Sequence, residues 1–298
     1  MLQHPSAYMW QQSLSTHNQF CEAVVTAGFL TQEQMLHASS RYCIGTSKRG
    51  GVIFWQIDHE GRVHDGKVMY YLPDCHRNKD KEAHPTWVSA ILARREAALA
   101  RAMHLEPVTT DHATSHCFFG EHLLSIDKDQ QLTAYCLQLT KKEQPLTTSP
   151  LPEEGMGEAD QLSPIIAIVE AEKSAFILSE LFPQYIWLAS GGLGEVQPDK
   201  FHPLRGHKVL MFPDTDPDGT AFRRWSEAAD QVMRTLFWED SPPIRVSPLL
   251  ELHATEEQKQ RKIDLIDFLF EDSACKPIEF SLNSRRLEPP NSAAEGRS

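Results

Sequence analysis

Apolar positions fall in two different rhythms along the chain. Over residues 1–45 they recur at helical spacing, first in "NQFCEAVVTAGFL" and then in "TQEQMLHASSRY". Thr31 fits an N-cap and Gln34 completes a capping box, so the second of these helices starts there. The rhythm then changes. "GGVIFWQIDHEGRVHDGKVMYYLP" (50–73) holds two runs rich in β-branched and aromatic residues, "VIFWQID" and "KVMYYL", separated by "DHEGR". That composition predicts a β-hairpin. A polar, partly basic loop follows at 74–84, then a helix over 87–105, "WVSAILARREAALARAMHL". "HCFFGEHLLSI" (116–126) is a short apolar element broken by Gly120.

Residues 141–163 are poor in large apolar residues and rich in Pro, Thr, Ser and Glu, as in a linker or long exposed loop. Beyond them strands and helices alternate. "PIIAIVE" (164–170) reads as a strand, "AEKSAFILSELF" as a helix, "YIWLAS" (185–190) as a strand, and "GGLGE" as a glycine-rich turn. "KVLMFPD" (208–214) is a third strand. The helix over 220–237 repeats Phe222, Trp225, Ala229, Val232 and Leu236, and "IRVSPLL" (244–250) is a last strand. Continuous apolar strands between helices mean a parallel sheet covered on both faces. The expected organisation is an α+β region over 1–140, a linker over 141–163, an α/β domain over 164–275 and a disordered tail over 276–298.

Composition narrows the class. The chain has 298 residues, 41% hydrophobic and 23% charged, as in a globular protein. No apolar run approaches the roughly 18–20 residues that span a bilayer, so no membrane partner is expected. The N-terminus lacks a basic stretch followed by an apolar one, so no secretory signal is read. Six scattered cysteines without a CxxC pair suit a reduced, cytoplasmic protein. Net charge is −12, but residues 1–110 carry +1 and residues 111–298 carry −13. An acidic half argues against a general nucleic-acid coat, unless its carboxylates hold metal ions.

Those carboxylates are not scattered. In an open α/β sheet, ligands collect at the carboxyl ends of the strands. Here one strand ends at Glu170, and another at Asp214 with Asp216 two residues on. If these strands are neighbours, the three acids meet at one edge, where oxygen-only ligands suit Mg²⁺ or Mn²⁺. The other reading of "DTDPDG" is a solvated Asx-type turn, with Asp218 capping the helix that starts near Thr220. A calcium loop is excluded, because an apolar strand precedes it and Trp225 stands at loop position 12. Glu172 and Lys173 are either first-turn surface charge, or a metal helper and a phosphate contact. "GGLG" (191–194) allows close approach of a phosphate backbone, or is a simple tight turn. Arg41, Lys48, Arg49, Lys67, Arg77, Lys79 and Lys81 form either a basic track for single-stranded nucleic acid, with Trp55 or Tyr70 as stacking surfaces, or a scattered solvated face with core aromatics on the hairpin. Arg94, Arg95 and Arg101 read as plain helix surface, and His112, His116 and Cys117 have no trusted zinc spacing.

"VEAEKSAFILSELF…WLASGGLGE…KVLMFPDTDPDGTAF" resembles a toprim domain, the metal-binding fold of bacterial-type primases, topoisomerases and some nucleases. The resemblance covers roughly residues 163–240: Glu170 after the first strand, "SGG" (190–192) after the next, and Asp214 with Asp216 after the third. "GGVIFWQIDHEGRVHDGKVMYY" and "CFFGEHLL" are similar to segments of primase cores that precede the toprim domain. "KIDLIDFLF" (262–270) is similar to the D-x-x-D segment that closes such domains. The whole resembles a compact, primase-like toprim family of unknown function typical of Bacteroidetes mobile elements. The resemblance implies a Rossmann-like parallel sheet behind a primase-core-like region. It also implies Mg²⁺- or Mn²⁺-dependent primer synthesis from nucleoside triphosphates on single-stranded DNA. Glu170, Asp214 and Asp216 would be catalytic, and Asp218 a further metal ligand. A toprim nuclease, or a non-catalytic replication or mobilisation accessory, are the alternatives. This sequence departs from primases in showing no N-terminal zinc module and no GxxxxGK[ST] motor, so a separate zinc-binding protein or helicase is an expected partner.

Overall fold

The structure, a computed structural model, describes residues 5–104, 116–125, 164–236 and 238–271. The expected linker at 141–163, the tail at 276–298 and His112 lie outside these residues. Three helices open the chain: α1 (Pro5–Ser13), α2 (Gln19–Thr26) and α3 (Gln32–Arg41). The Asn18 side chain caps α2 by accepting from Cys21 N, and Thr31 and Gln34 form the reciprocal capping box of α3. Phe20, Cys21, Ala23 and Val24 of α2 are buried.

An antiparallel sheet follows, in the order β1 (Gly45–Thr46), β2 (Val52–Ile57), β3 (Val63–Met69), β4 (Thr86–Trp87). The hairpin joining β2 to β3 turns on Asp58. Its carboxylate accepts from the backbone of Glu60 and Arg62, both at 2.9 Å, from Arg62 Nε at 2.7 Å and from His64 Nε2 at 2.8 Å. The second hairpin strand starts at Val63, four residues before the apolar run "KVMYYL". "VHDG" is a poor strand by composition, yet here each residue has a reason to be extended. Gly66 passes so close to Ile53 and Trp55 that a Cβ would lie 2.7 Å from the first. Asp65 is fully buried and accepts from Ser89 N at 3.0 Å and Ser89 Oγ at 2.5 Å. It thereby caps α4 (Val88–Ala102) from outside that helix, whose own N-cap, Trp87, makes no side-chain cap bond.

The second sheet is wholly parallel, ordered β6 (Tyr185–Ala189), β5 (Ile165–Val169), β7 (Val209–Phe212), β8 (Arg245–Val246). The helices α5 (Glu172–Leu181) and α6 (Thr220–Thr235) flank it, as strand–helix alternation predicts. The last strand is shorter than the sequence suggests. "SPLL" leaves the sheet because Pro248 lacks the N–H a ladder needs, and Ser247 Oγ accepts from Leu249 N at 3.3 Å as α7 (Leu249–His253) begins. Two further helices follow, α8 (Glu256–Arg261) and α9 (Leu265–Glu271).

One apolar core runs under both sheets, through Phe20, Tyr42, Phe54, Phe119, Phe176 and Trp187. Tyr42 Oη donates to Trp187 O at 2.8 Å. Phe119 and Ala189 exchange both backbone hydrogen bonds at 3.0 Å, which lays the 116–125 segment along the outer edge of β6. Among the described residues no helix is long and apolar enough to cross a membrane.

Candidate functional site

Adjacent strands place the key acids. β5 and β7 pair in parallel with Val169 opposite Phe212, so Glu170 and Asp214 emerge side by side at the carboxyl edge of the sheet. Both sit partly buried and both carboxyls are held above their ordinary range. For Asp214 the causes are burial, then the negative charges of Asp264 and Glu170. For Glu170 burial leads, opposed by a hydrogen bond from the Leu193 backbone and by the Lys67 ammonium. These two acids resist ionisation because burial and neighbouring carboxylates outweigh the nearby Lys67 and Lys173 ammoniums.

The structure adds two acids that were not among the expected site residues. Asp264 and Asp267, at the start of α9, face the same edge. Asp264 Oδ2 accepts from Ser174 Oγ at 2.7 Å, and its Oδ1 accepts from Asp267 N at 2.8 Å. The Asp267 carboxyl is raised by burial and by the charge of Asp264. The D-x-x-D spacing was the available sequence signal, but nothing short of the fold brings residues 264–267 back to the end of β5. Lys173, in the first turn of α5, lies among them with Nζ 3.5 Å from Asp264 Oδ2. Burial alone would lower its pKa, yet Asp264 and Asp267 hold it above the ordinary lysine value.

Asp216 and Asp218 sit apart from this group in role. The Asp216 carboxylate accepts from Asp218 N at 3.0 Å, Thr220 N at 2.9 Å and Ala221 N at 2.6 Å. Burial opposes its ionisation, but these three N–H donors outweigh it and the pKa falls. The cap expected of Asp218 is thus made by Asp216, and the Asp218 side chain is exposed.

Lys67 reaches across from β3. Its Nζ donates to Glu172 Oε1 at 3.0 Å, Glu172 Oε2 at 3.1 Å and Gly191 O at 2.9 Å. Glu172 is buried, so the pair pins the antiparallel sheet to the glycine turn after β6. In that turn Gly191 and Gly192 take φ of 92° and 159°. Farther along the same loop, buried Lys200 donates to Glu195 Oε2 at 3.0 Å and Ser190 O at 3.3 Å.

Of the other basic residues, Lys48, Arg49, Arg77 and Lys79 are exposed. Arg41 is partly buried and its carbonyl accepts from His122 Nε2 at 3.0 Å. Arg49 lies 5.8 Å over the Tyr70 ring. Trp55 is unable to stack on a ligand: it is wholly buried, with Nε1 donating to Ser13 Oγ at 3.0 Å.

Among the described residues no three His, Cys, Asp or Glu side chains form a ready metal cage. Mg²⁺ does not need one, since it keeps several waters and takes one or two carboxylates together with substrate phosphates. An oxygen-only edge with uncompensated negative charge fits such an ion.

The family model described as "Domain of unknown function (DUF6371)" matches residues 18–137 and 155–215. No curated protein matches the chain. Solved structures similar to it include two primase domains. One is the DnaG primase catalytic domain bound to ssDNA, at 13% identity and a TM-score of 0.44, covering 89% of this chain and 81% of that one. The other is the DnaG catalytic core, at 14% identity and a TM-score of 0.41, covering 89% and 80%.

Proposed function

We propose that this chain, which belongs to the DUF6371 family, is a Mg²⁺- or Mn²⁺-dependent nucleotidyltransferase that makes short primers on single-stranded DNA. The observation that carries the reading is the pairing of Glu170 and Asp214 at adjacent strand ends, with both carboxyls resisting ionisation. The toprim-like motif order around them agrees. A bound divalent cation would bridge triphosphate oxygens and neutralise developing charge there. Asp214, with Asp216 and Asp218 beside it, would hold that ion. Glu170, with its raised pKa, is suited to take the proton of an attacking hydroxyl. Exposed Lys48, Arg49, Arg77 and Lys79 would follow the template backbone, with Tyr70 as a stacking surface.

A second reading, a non-catalytic accessory that binds nucleic acid or a helicase, draws on one observation. Both oxygens of Asp216 already accept backbone N–H groups of the α6 start. The two readings part in one assay. The full chain is given single-stranded DNA, labelled nucleoside triphosphates and Mg²⁺ or Mn²⁺, beside Asp214→Asn. Labelled oligomers from the wild type alone support the primase. Binding of DNA without product supports the accessory, and loss of the DNA itself points to a nuclease.

A further inference from the structure

Trp87 serves neither of the local structures it belongs to. It is the N-cap of α4, a position where Ser, Thr, Asp or Asn supplies the cap, and it makes no side-chain cap bond. Asp65 caps that helix from β3 through Ser89. Nor is Trp87 a core residue: the other five tryptophans of the chain are buried, and Trp87 is half-buried on a two-residue edge strand. Its ring lies against that of His116, also half-buried, with centroids 4.2 Å apart and planes inclined by 31°.

Register shows where this pair sits. Phe54, Lys67 and Trp87 are successive cross-strand partners on β2, β3 and β4, so their side chains leave one face of the antiparallel sheet in a row. The segment from 116 to 119 follows that row: Phe119 meets Phe54 at 5.4 Å, and His116 meets Trp87. In the middle of the row Lys67 donates to Glu172 and to the Gly191 carbonyl. Phe118 packs on Phe201 at 5.1 Å, which ties the same segment to the loop after β6. The row therefore runs from the core, past the glycine turn that borders the acidic edge, to an aromatic pair open to solvent on one side of the site. Burial, and after it the Lys200 ammonium, lowers the His116 pKa, so its ring is a neutral imidazole at pH 7.

We infer that Trp87 and His116 form a stacking platform for the base of the nucleoside triphosphate whose phosphates bind at the acidic edge. The inference rests on the nucleotidyltransferase reading above and adds the base subsite of the same substrate. Two rings already held against each other present a π-face at little cost in side-chain freedom. Every nucleobase has a face to match it, so such a platform adds affinity without choosing among bases. That suits an enzyme whose incoming base is selected by pairing with the template.

The test separates base from phosphate. Full-length wild type, Trp87→Leu, Trp87→Phe and His116→Ala are titrated calorimetrically in Mg²⁺ with GTP and with inorganic tripolyphosphate. Tryptophan fluorescence of the wild type is followed with both ligands and with oligodeoxythymidylate. The expected result is quenching by GTP and none by tripolyphosphate. Trp87→Leu and His116→Ala should bind GTP about tenfold more weakly, the order of one base stack, with tripolyphosphate binding unchanged. Trp87→Phe, which keeps an aromatic face, should stay close to wild type. Equal GTP affinity in all four proteins overturns the platform and leaves the triphosphate reading standing. A parallel loss of GTP and tripolyphosphate affinity marks a purely structural pair and also overturns it. Quenching by the oligonucleotide and not by GTP assigns the pair to the template strand, against the inference. If the wild type binds neither GTP nor tripolyphosphate, the triphosphate reading itself falls and the platform with it. Should Trp87→Leu fail to fold, His116→Ala and the wild-type quenching decide the matter.

Discussion

Lys67 and Glu172 are 105 positions apart in sequence and meet at 3.0 Å, at the junction of the two sheets. The Glu172 side chain is 3% exposed, and the ammonium opposite it also holds the Gly191 carbonyl. The pair anchors the loop that borders the acidic edge to the hairpin of the other sheet.

Removing one partner should therefore cost far more than removing both. Lys67→Met leaves a buried carboxylate uncompensated and should lower stability by about 3–5 kcal/mol. The Lys67→Met/Glu172→Gln double variant should recover most of that loss. Urea denaturation of the two single variants and the double closes the cycle. Additive losses would show that the pair does not act as a unit.

Asp216 should separate capping from chemistry. Asp216→Ala removes three acceptor contacts from the start of α6 and should cost about 1 kcal/mol, within the range of N-cap deletions. Asp216→Asn keeps an acceptor oxygen and should retain most of the stability while losing the charge. If primer synthesis falls equally in both, the charge matters beyond the cap. If only Asp216→Ala is impaired, the cap is its whole contribution.

In chelator, the contribution of the acidic edge to stability should rise as the medium turns mildly acidic. Glu170, Asp214 and Asp267 have raised pKa values in the folded chain, so the folded state binds their protons more tightly than the unfolded one. Stability then grows as pH falls from about 8 toward those folded values. Asp58 acts oppositely. Burial would raise it, but His64 and Arg62 outweigh burial and hold it low. Its contribution is present above the ordinary aspartate value of about 3.9 and is lost as pH falls below it. His116, His122 and His207, whose pKa values burial lowers, oppose the rise as pH falls through the ordinary histidine range. The difference in urea midpoint between wild type and Asp214→Asn isolates the edge: it should shift in favour of wild type as pH falls, and a difference that does not change with pH would contradict the raised Asp214 carboxyl.

Gly66 should resist even the smallest side chain. A Cβ there would lie 2.7 Å from Ile53 Cγ2 and 2.8 Å from Trp55 Cε3, both in side chains that are buried. Gly66→Ala should lower stability by about 1–3 kcal/mol, as overpacked core variants do. A thermal melt within error of wild type would mean that the hairpin yields more readily than its packing indicates.

The parallel half was legible because its signals are local. Unbroken apolar runs such as "IIAIV" have few alternatives, and acids directly after them announce the edge. The hairpin was readable in outline, but not where β3 begins. Asp65 and Gly66 look like turn residues until Ser89 and Trp55, from other elements, supply the reasons they are buried. The composition of the acidic edge was half visible for the same cause. Glu170 and Asp214 follow their strands directly, whereas Asp264, Asp267 and the inward aim of Lys173 depend on how α9 returns to α5. Trp55 stayed open between two readings because an aromatic residue in a basic neighbourhood resembles a stacking surface, and only burial selects the core.

The exchange of backbone bonds between Phe119 and Ala189 bears on whether the parallel sheet could stand alone. An exposed parallel edge strand invites other chains to pair with it, and here a segment that precedes the parallel sheet in sequence occupies the end of that edge through one isolated bridge. A recombination that delivered residues 164–271 to a new host gene would deliver them unguarded, with the β6 ladder open to its neighbours. The parallel sheet thus depends on main chain from outside its own stretch of sequence to finish one of its edges.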